Sequence, residues 1–294
     1  MASHEVRVQL PSERFDTNEI TPVQHSLVGH PLLSVSALQA LAERMPADHL
    51  RWHLADIPVN SHFGRAAKEH ANGATIAQTL AHIHEAKSWV YLQHVETDPT
   101  YQALVEDVFR SVSGRIDAVD PGAEGLSGWI FISSPNAVTP YHMDHEANFL
   151  LQVQGSKTIS VWDPRDRSVV GETELEGFHA NWSLDDTIWR ESIEPKARKI
   201  EAGPGAGVFM PFTAPHAVKN GPAVSVTLSV TFLTRRMKTE MKAFAANHWL
   251  RAKGLPTKAV GQSHRRDRAL ETFIDAYSLG RKAVNRVREV RRKR

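Results

Sequence analysis

Thr139-Pro-Tyr-His-Met-Asp-His-Glu-Ala-Asn-Phe-Leu-Leu-Gln-Val-Gln-Gly-Ser-Lys157 carries the strongest structural signal in the chain. It holds His142-x-Asp144, and side chains on an extended segment alternate, so both groups face the same side of a strand or strand end. A third donor must come from a distant strand. His216, which closes the apolar run Phe209-Met-Pro-Phe-Thr-Ala-Pro-His, is the candidate. Two imidazoles and a carboxylate on one face of a metal are the donor set of a non-haem Fe(II) site with open positions for co-substrate and O2. The plain alternative is a pair of ordinary strand-end histidines, because 16 His and 33 acidic residues produce such spacings by chance. His145 adds a competing His-x-x-His, but on a strand it points away from Asp144, which leaves it a supporting role at most.

Working outward, short runs rich in β-branched and aromatic residues bounded by turn residues fill the centre of the chain: Trp129-Ile-Phe-Ile, Phe149-Leu-Leu-Gln-Val, Thr158-Ile-Ser-Val-Trp, Gly207-Val-Phe-Met and Val224 to Phe232. They predict an antiparallel barrel or sandwich. Residues 165–200 read as a long insertion with a helix near 184–191, a candidate substrate lid. Upstream, Leu33 to Arg44 reads as a Ser-capped helix stopped by Pro46, 75–87 as a helix starting at Thr75, Ser88 to Val95 as a strand, and Pro99 to Val112 as an amphipathic helix. After Thr234 the spacing of Met237, Met241, Phe244 and Leu250, then of Leu270, Phe273, Ile274 and Tyr277, is helical. The expected division is 1–126, helices and strands packing on the core; 127–234, the β core; and 235–294, a basic helical segment.

The long stretch resembles the metal- and co-substrate-binding core of the JmjC/cupin-like 2-oxoglutarate oxygenases, in the branch that includes the asparaginyl hydroxylase of hypoxia-inducible factor. The register fits at Thr139, three residues before the first His, at Asp144, at Asn148 and at Lys157, with a Gly turn before the Lys. Tyr91-Leu92-Gln93 looks like the strand that supplies a tyrosine in that family. The resemblance is clear over 127–232, patchy over 30–126 and only architectural beyond 235. It implies a mainly β double-stranded β-helix (jelly-roll) core with C-terminal helices, and Fe(II) on His142, Asp144 and His216. It also implies 2-oxoglutarate and O2 as co-substrates, and hydroxylation of an aliphatic C–H of a protein side chain or small molecule with release of succinate and CO2. By the same resemblance Lys157 clamps the distal carboxylate of 2-oxoglutarate, helped by Thr139 and Tyr91. Asn148 and Ser229 become pocket polar groups, Gln93 a substrate contact, and the C-terminal helices a homodimer interface. The chain departs from the family pattern at Pro204-Gly205-Ala206, which lacks an acidic turn residue, and at Ala214-Pro215, where an aromatic pair is usual.

Composition is compatible with this reading. A chain of 294 residues can bury a sizeable core, and the absence of Cys excludes disulfides and thiolate metal sites. No apolar run is long enough to span a bilayer and the first residues lack an apolar signal region, so a cytoplasmic protein is expected. The net charge of +2 hides a basic C-terminal segment, where eighteen Lys and Arg from Arg235 onward face five Asp and Glu. The run 281–294 suits either a nucleic-acid contact or a solvated helix end, and the second is favoured. Two other classes stay open: a metal-binding cupin without 2-oxoglutarate chemistry, and a nucleic-acid-associated regulator using the basic tail.

Overall fold

Val226, Leu228, Val230 and Phe232 alternate with Thr227, Ser229 and Thr231, and all seven are buried. A strand with one apolar and one hydroxyl-bearing face, both hidden from solvent, separates a hydrophobic core from a polar interior. The computed structural model is organised around that strand. It describes residues 5–11 and 15–292, with side chains for all of these except Asp186 and 280–292. The side chains of the basic run 281–294 therefore lie outside the described residues.

In chain order the elements are β1 (Val8–Gln9), β2 (Thr21–His25), α1 (Val35–Ala42), β3 (Leu50–Leu54), α2 (Ala66–Glu69), α3 (Ile76–Ala81), β4 (Ser88–Leu92), α4 (Pro99–Asp117), β5 (Glu124–Ser133), β6 (Val138–His142), β7 (Ala147–Gln154), β8 (Lys157–Val161), α5 (Glu172–Asn181), β9 (Arg198–Ala202), β10 (Ala206–Met210), β11 (His216–Asn220), β12 (Ser225–Leu233), α6 (Arg235–Ala252) and α7 (His264–Arg292). The strands form two antiparallel sheets, β1-β2-β10-β7-β12-β5-β4-β3 and β6-β11-β8-β9. The fold is a jelly-roll with added helices.

The outer face of the large sheet builds the main core. Phe149, Leu151, Ile130, Ile132, Val90 and the apolar side of β12 pack against Leu38 and Leu41 of α1 and Leu104, Val105, Val108 and Val112 of α4. Each such side chain contributes about 1.5–3 kcal/mol by burial. Asp98 caps α4 by accepting from the amides of Thr100 and Tyr101, with Pro99 at the first helical position. The helix lies so close to β5 that a Cβ on Gly128 would stand 2.4 Å from Val105 Cγ2. Between the sheets, Leu150, Val208 and Met210 meet Ile159, Val161 and Val218. This smaller core adjoins the cavity, which Leu150 and Val218 also line.

The expected three-part division is cut across by the large sheet. β4 pairs with β5 and β2 with β10, so the first 126 residues contribute strands to the core rather than only packing on it. The insertion helix is corrected in position: it runs over Glu172–Asn181, and 184–191 holds only a short 3-10 turn at Leu184–Asp186 and the start of another. Its inward face carries Glu176 and His179 beside Leu175 and Phe178, which dilutes the apolar period. The helix expected at 75–87 is confined to Ile76–Ala81, and α4 runs on to Asp117. In the C-terminal segment Met237, Met241 and Phe244 are buried within the chain, where α6 packs against α5 and α7. Arg251 forks onto the fully buried Glu176 at 2.7 and 2.9 Å and ties α6 to α5.

Candidate metal centre and cavity

The two histidines of the triad sit on adjacent strands of the small sheet. His142 ends β6, His216 begins β11, and the two are cross-strand partners. Their ring centroids are 4.1 Å apart. Asp144 follows the end of β6, with one carboxylate oxygen 3.7 Å from His142 Nε2 and the other 3.7 Å from His216 Nε2. One ligand atom from each residue can be chosen so that all lie within 4.8 Å of one another. Each imidazole is held by its far nitrogen: His142 Nδ1 lies 2.8 Å from the Pro140 carbonyl and His216 Nδ1 3.0 Å from that of Ala214. A carbonyl only accepts, so each Nδ1 donates and each Nε2 keeps its lone pair for a metal. Phe63 stacks on His142 at 3.9 Å and 2° and fixes the ring plane. Burial, with His216 alongside, pushes the His142 imidazolium down to about 3, so the ring stays neutral and ready to ligate. The donor set and its orientation fit Fe(II).

His145 is corrected in setting: it lies in the bend between β6 and β7, where strand parity does not apply, and it lines the cavity next to Asp144. It stacks on Phe178 at 3.9 Å and 6°, and its Nδ1 is 3.3 Å from His179 Nδ1.

Between the sheets lies a cavity of about 310 Å³ whose lining includes the triad, Thr139, Asn148, Lys157 and Ser229. Strand alternation explains the order. Along β7, Asn148 and Leu150 face inward, followed by Gln152; along β12, Thr231 and Ser229 are followed by Thr227. Ser229 donates to Asn148 Oδ1 at 2.7 Å, and the Asn148 amide reaches Asp144 Oδ2 at 3.5 Å, so two pocket polar groups steady the carboxylate ligand. Lys157 is 6% exposed and donates to Thr227 Oγ1 at 2.6 Å. Thr227 donates onward to Gln152 Oε1 at 2.7 Å. Among the described residues no carboxylate pairs with this ammonium, and burial lowers it to about 7. A cation in such a place fits an anionic ligand.

Tyr91 shares a strand face with Trp89 and Gln93, which line the cavity, but does not line it itself. Its ring packs 4.7 Å from Trp89 and 6.0 Å from Phe131, and burial pushes its phenol up to about 12. Sequence reasoning missed Thr227 and Gln152, although extending the period of two from Ser229 and Asn148 reaches both. It also missed Phe63, for which the sequence carries no signal, and Glu146, whose carboxyl is raised to about 7, first by burial and then by Asp144. The rim includes Trp182, Ser183 and Leu184 of the insertion. Asp185 holds the insertion to the segment bearing Phe63, through Arg65 at 2.6 Å and His62 at 2.8 Å.

Residues 33–251 match the cupin-like domain family, most of the chain. The chain belongs to that family. No curated protein matches the sequence. Solved structures similar in fold include the X-ray structure of ycfD from Escherichia coli, at 15% identity and a TM-score of 0.53, covering 94% of this chain and 69% of that one. The complex of that ribosomal oxygenase, YcfD, with cobalt and 2-oxoglutarate has 15% identity and a TM-score of 0.50, covering 94% and 68%. A further YcfD structure, at 14% identity and a TM-score of 0.50, covers 88% of this chain, which spans 61% of its length. At these identities the likeness is one of fold, and the cupin-like chain owes its chemistry to the residues of its own cavity.

Proposed function

We propose that this cupin-like chain is an Fe(II)- and 2-oxoglutarate-dependent dioxygenase that hydroxylates an aliphatic C–H of a protein side chain or small molecule. The observation that carries the reading is Lys157: a buried ammonium without an anionic partner among the described residues, lining the same cavity as the His142, Asp144 and His216 cluster. A cupin that binds a metal without 2-oxoglutarate has no use for such a cation. The bound metal with 2-oxoglutarate and O2 supplies oxidative decarboxylation to succinate and CO2, and with it the oxidant that converts C–H to C–OH.

The chain's own residues do the rest. His142, Asp144 and His216 hold the metal and leave its remaining positions to co-substrate and O2. Lys157 holds the distal carboxylate, with Thr139, on β6 of the same small sheet, as a second donor and Tyr91 behind the Trp89 wall. Asn148 and Ser229 orient Asp144. Trp129, Phe131, Leu150 and Val218 line the cavity with apolar surface and exclude water, which strengthens every polar contact inside it. The outcome at carbon is a matter of positioning one C–H bond. The same reading places the protein in the cytoplasm as a homodimer, with Phe273, Tyr277 and Leu279 of α7 as the apolar surface left exposed for a second copy. The nucleic-acid role of 281–294 is not part of it.

The test is Fe(II)-dependent conversion of 2-oxoglutarate to succinate, paired with anaerobic calorimetry of 2-oxoglutarate into the Mn(II)-loaded chain. Binding together with turnover is the expected result. Metal binding without 2-oxoglutarate binding would restore the plain cupin alternative.

A further inference from the structure

Lys157 opens β8 on the small sheet, and its side chain crosses the interior to the large sheet, where it donates to Thr227 Oγ1 at 2.6 Å. Thr227 and Gln152 are cross-strand partners on β12 and β7, both fully buried, and neither lines the cavity. The Gln152 amide has one possible orientation. Its nitrogen donates to the Gln154 carbonyl at 2.6 Å and to Ser225 Oγ at 3.0 Å, and a backbone carbonyl only accepts. Gln152 Oε1 therefore faces Thr227 and accepts the hydrogen bond of its hydroxyl at 2.7 Å. With that hydrogen committed, Thr227 can only accept from Lys157. The chain of bonds runs one way, from ammonium to hydroxyl to amide oxygen, and each bond polarises the next.

That direction matters for the cation. A hydroxyl restricted to accepting suits an ammonium, whereas a neutral amine would be left with a buried lone pair and no donor to fill it. The network thus works against burial, which favours the uncharged form. One of the three ammonium N–H groups goes to Thr227, and among the described residues the other two have no partner. We propose that Gln152 is a positioning residue that acts through Thr227, holding Lys157 charged and stretched across the interior so that its two free N–H groups meet the distal carboxylate of 2-oxoglutarate. The proposal deepens the oxygenase reading of the site and rests on it.

The test is anaerobic calorimetry of 2-oxoglutarate into the Mn(II)-loaded full chain between about pH 6 and about pH 9. The proteins are the parent, Thr227→Val, Thr227→Ser, Gln152→Leu and the double variant of Gln152→Leu with Thr227→Val. At the alkaline end Thr227→Val should bind about tenfold or more weakly, the value of one hydrogen bond to a charged group. The gap should narrow as pH falls, because Lys157 is then charged before the co-substrate arrives and both proteins start from the same form. Thr227→Ser, which keeps the hydroxyl, should recover most of the affinity. Gln152→Leu should act in the same direction by a smaller factor, and that factor should vanish once the Thr227 hydroxyl is gone. Should Gln152→Leu fail to fold, the two Thr227 variants and their pH profiles still decide. Parent-like binding by Thr227→Val, a loss of equal size at every pH, a Thr227→Ser as weak as Thr227→Val, or a Gln152→Leu effect undiminished in the double variant would each overturn the assignment while the parent still binds 2-oxoglutarate. A parent that takes up Mn(II) but no 2-oxoglutarate at any pH would instead overturn the oxygenase reading, and this assignment with it.

Discussion

Replacing Lys157 by methionine should stabilise the ligand-free protein while weakening its hold on 2-oxoglutarate. Lys157 is buried, its ammonium has the Thr227 hydroxyl as its polar partner, and burial lowers it from an ordinary 10.5 to about 7. At about 1.4 kcal/mol per pH unit, that gap amounts to a cost on the order of 4 kcal/mol in the empty protein near neutral pH. Methionine fills a similar volume without the charge. Loss of the hydrogen bond to Thr227 returns about 1 kcal/mol, leaving a net gain on the order of 3 kcal/mol. The sign with pH follows from proton uptake. Between about 7 and 10.5 the unfolded chain binds the lysine proton and the folded chain does not, so parent stability rises with pH across that window. The variant should lose that slope. Binding of 2-oxoglutarate should weaken by about tenfold to a hundredfold, the value of one charge-assisted contact. Urea unfolding across pH, with calorimetry of 2-oxoglutarate into the Mn(II)-loaded proteins, measures both effects. A variant less stable than the parent that binds 2-oxoglutarate equally well would refute the reasoning.

Metal titration should show that His142→Ala, Asp144→Ala and His216→Ala each lose Fe(II) binding while His145→Ala keeps it, and a His145→Ala as damaging as His142→Ala would mean the wrong ligand set. The metal-free protein should lose stability as pH falls below about 6.5, because burial keeps His142, His145 and His179 neutral in the fold while the unfolded chain takes up their protons; urea midpoints at about pH 7.5 and pH 5 check this. Gly155→Ala should cost about 1–3 kcal/mol, since φ is +71° and a Cβ would stand 2.5 Å from the Val224 carbonyl; a thermal shift within error of the parent would show the turn to be slack. Sedimentation should give a dimer for the full chain and a monomer for one ending near Thr234, and a full-length monomer at micromolar concentration would remove the homodimer.

The parts of the molecule legible in its sequence are those where one physical cause dominates. β7 and β12 announce themselves by alternation, and the spacing of His142, Asp144 and His216 survives because metal geometry tolerates few substitutes. β6 and β11, which carry the two histidines, show no alternation of their own, and only the ligand spacing points to strands there. Val138-Thr-Pro-Tyr-His contains a proline that only an edge strand accepts, and β6 is at the edge of its sheet. His216-Ala-Val-Lys-Asn is short and half polar. The insertion helix was misplaced because its inward face uses Glu176, paired to a residue seventy-five positions away, where a pattern reader expects an apolar residue. Glu146 was passed over because a carboxylate near a metal motif reads as solvated until a cavity is seen around it.

The insertion has a further consequence. β8 and β9 pair in unbroken register from Lys157↔Ala202 to Val161↔Arg198, as the two arms of a hairpin whose tip has been replaced by residues 162–197. The arms zip whatever lies between them, and the entropy of closing a loop grows only slowly with its length. Lys157 belongs to an arm, whereas Trp182, Ser183 and Leu184 belong to the replaced tip. The substrate rim is thus a short turn carried by an insertion that is itself anchored, since Leu175 and Phe178 of α5 pack with Phe244 of α6 and Arg251 pairs with Glu176. Exchanging the Trp182 to Leu184 turn alone should redirect what enters the cavity while leaving that anchor and the strand that carries Lys157 intact.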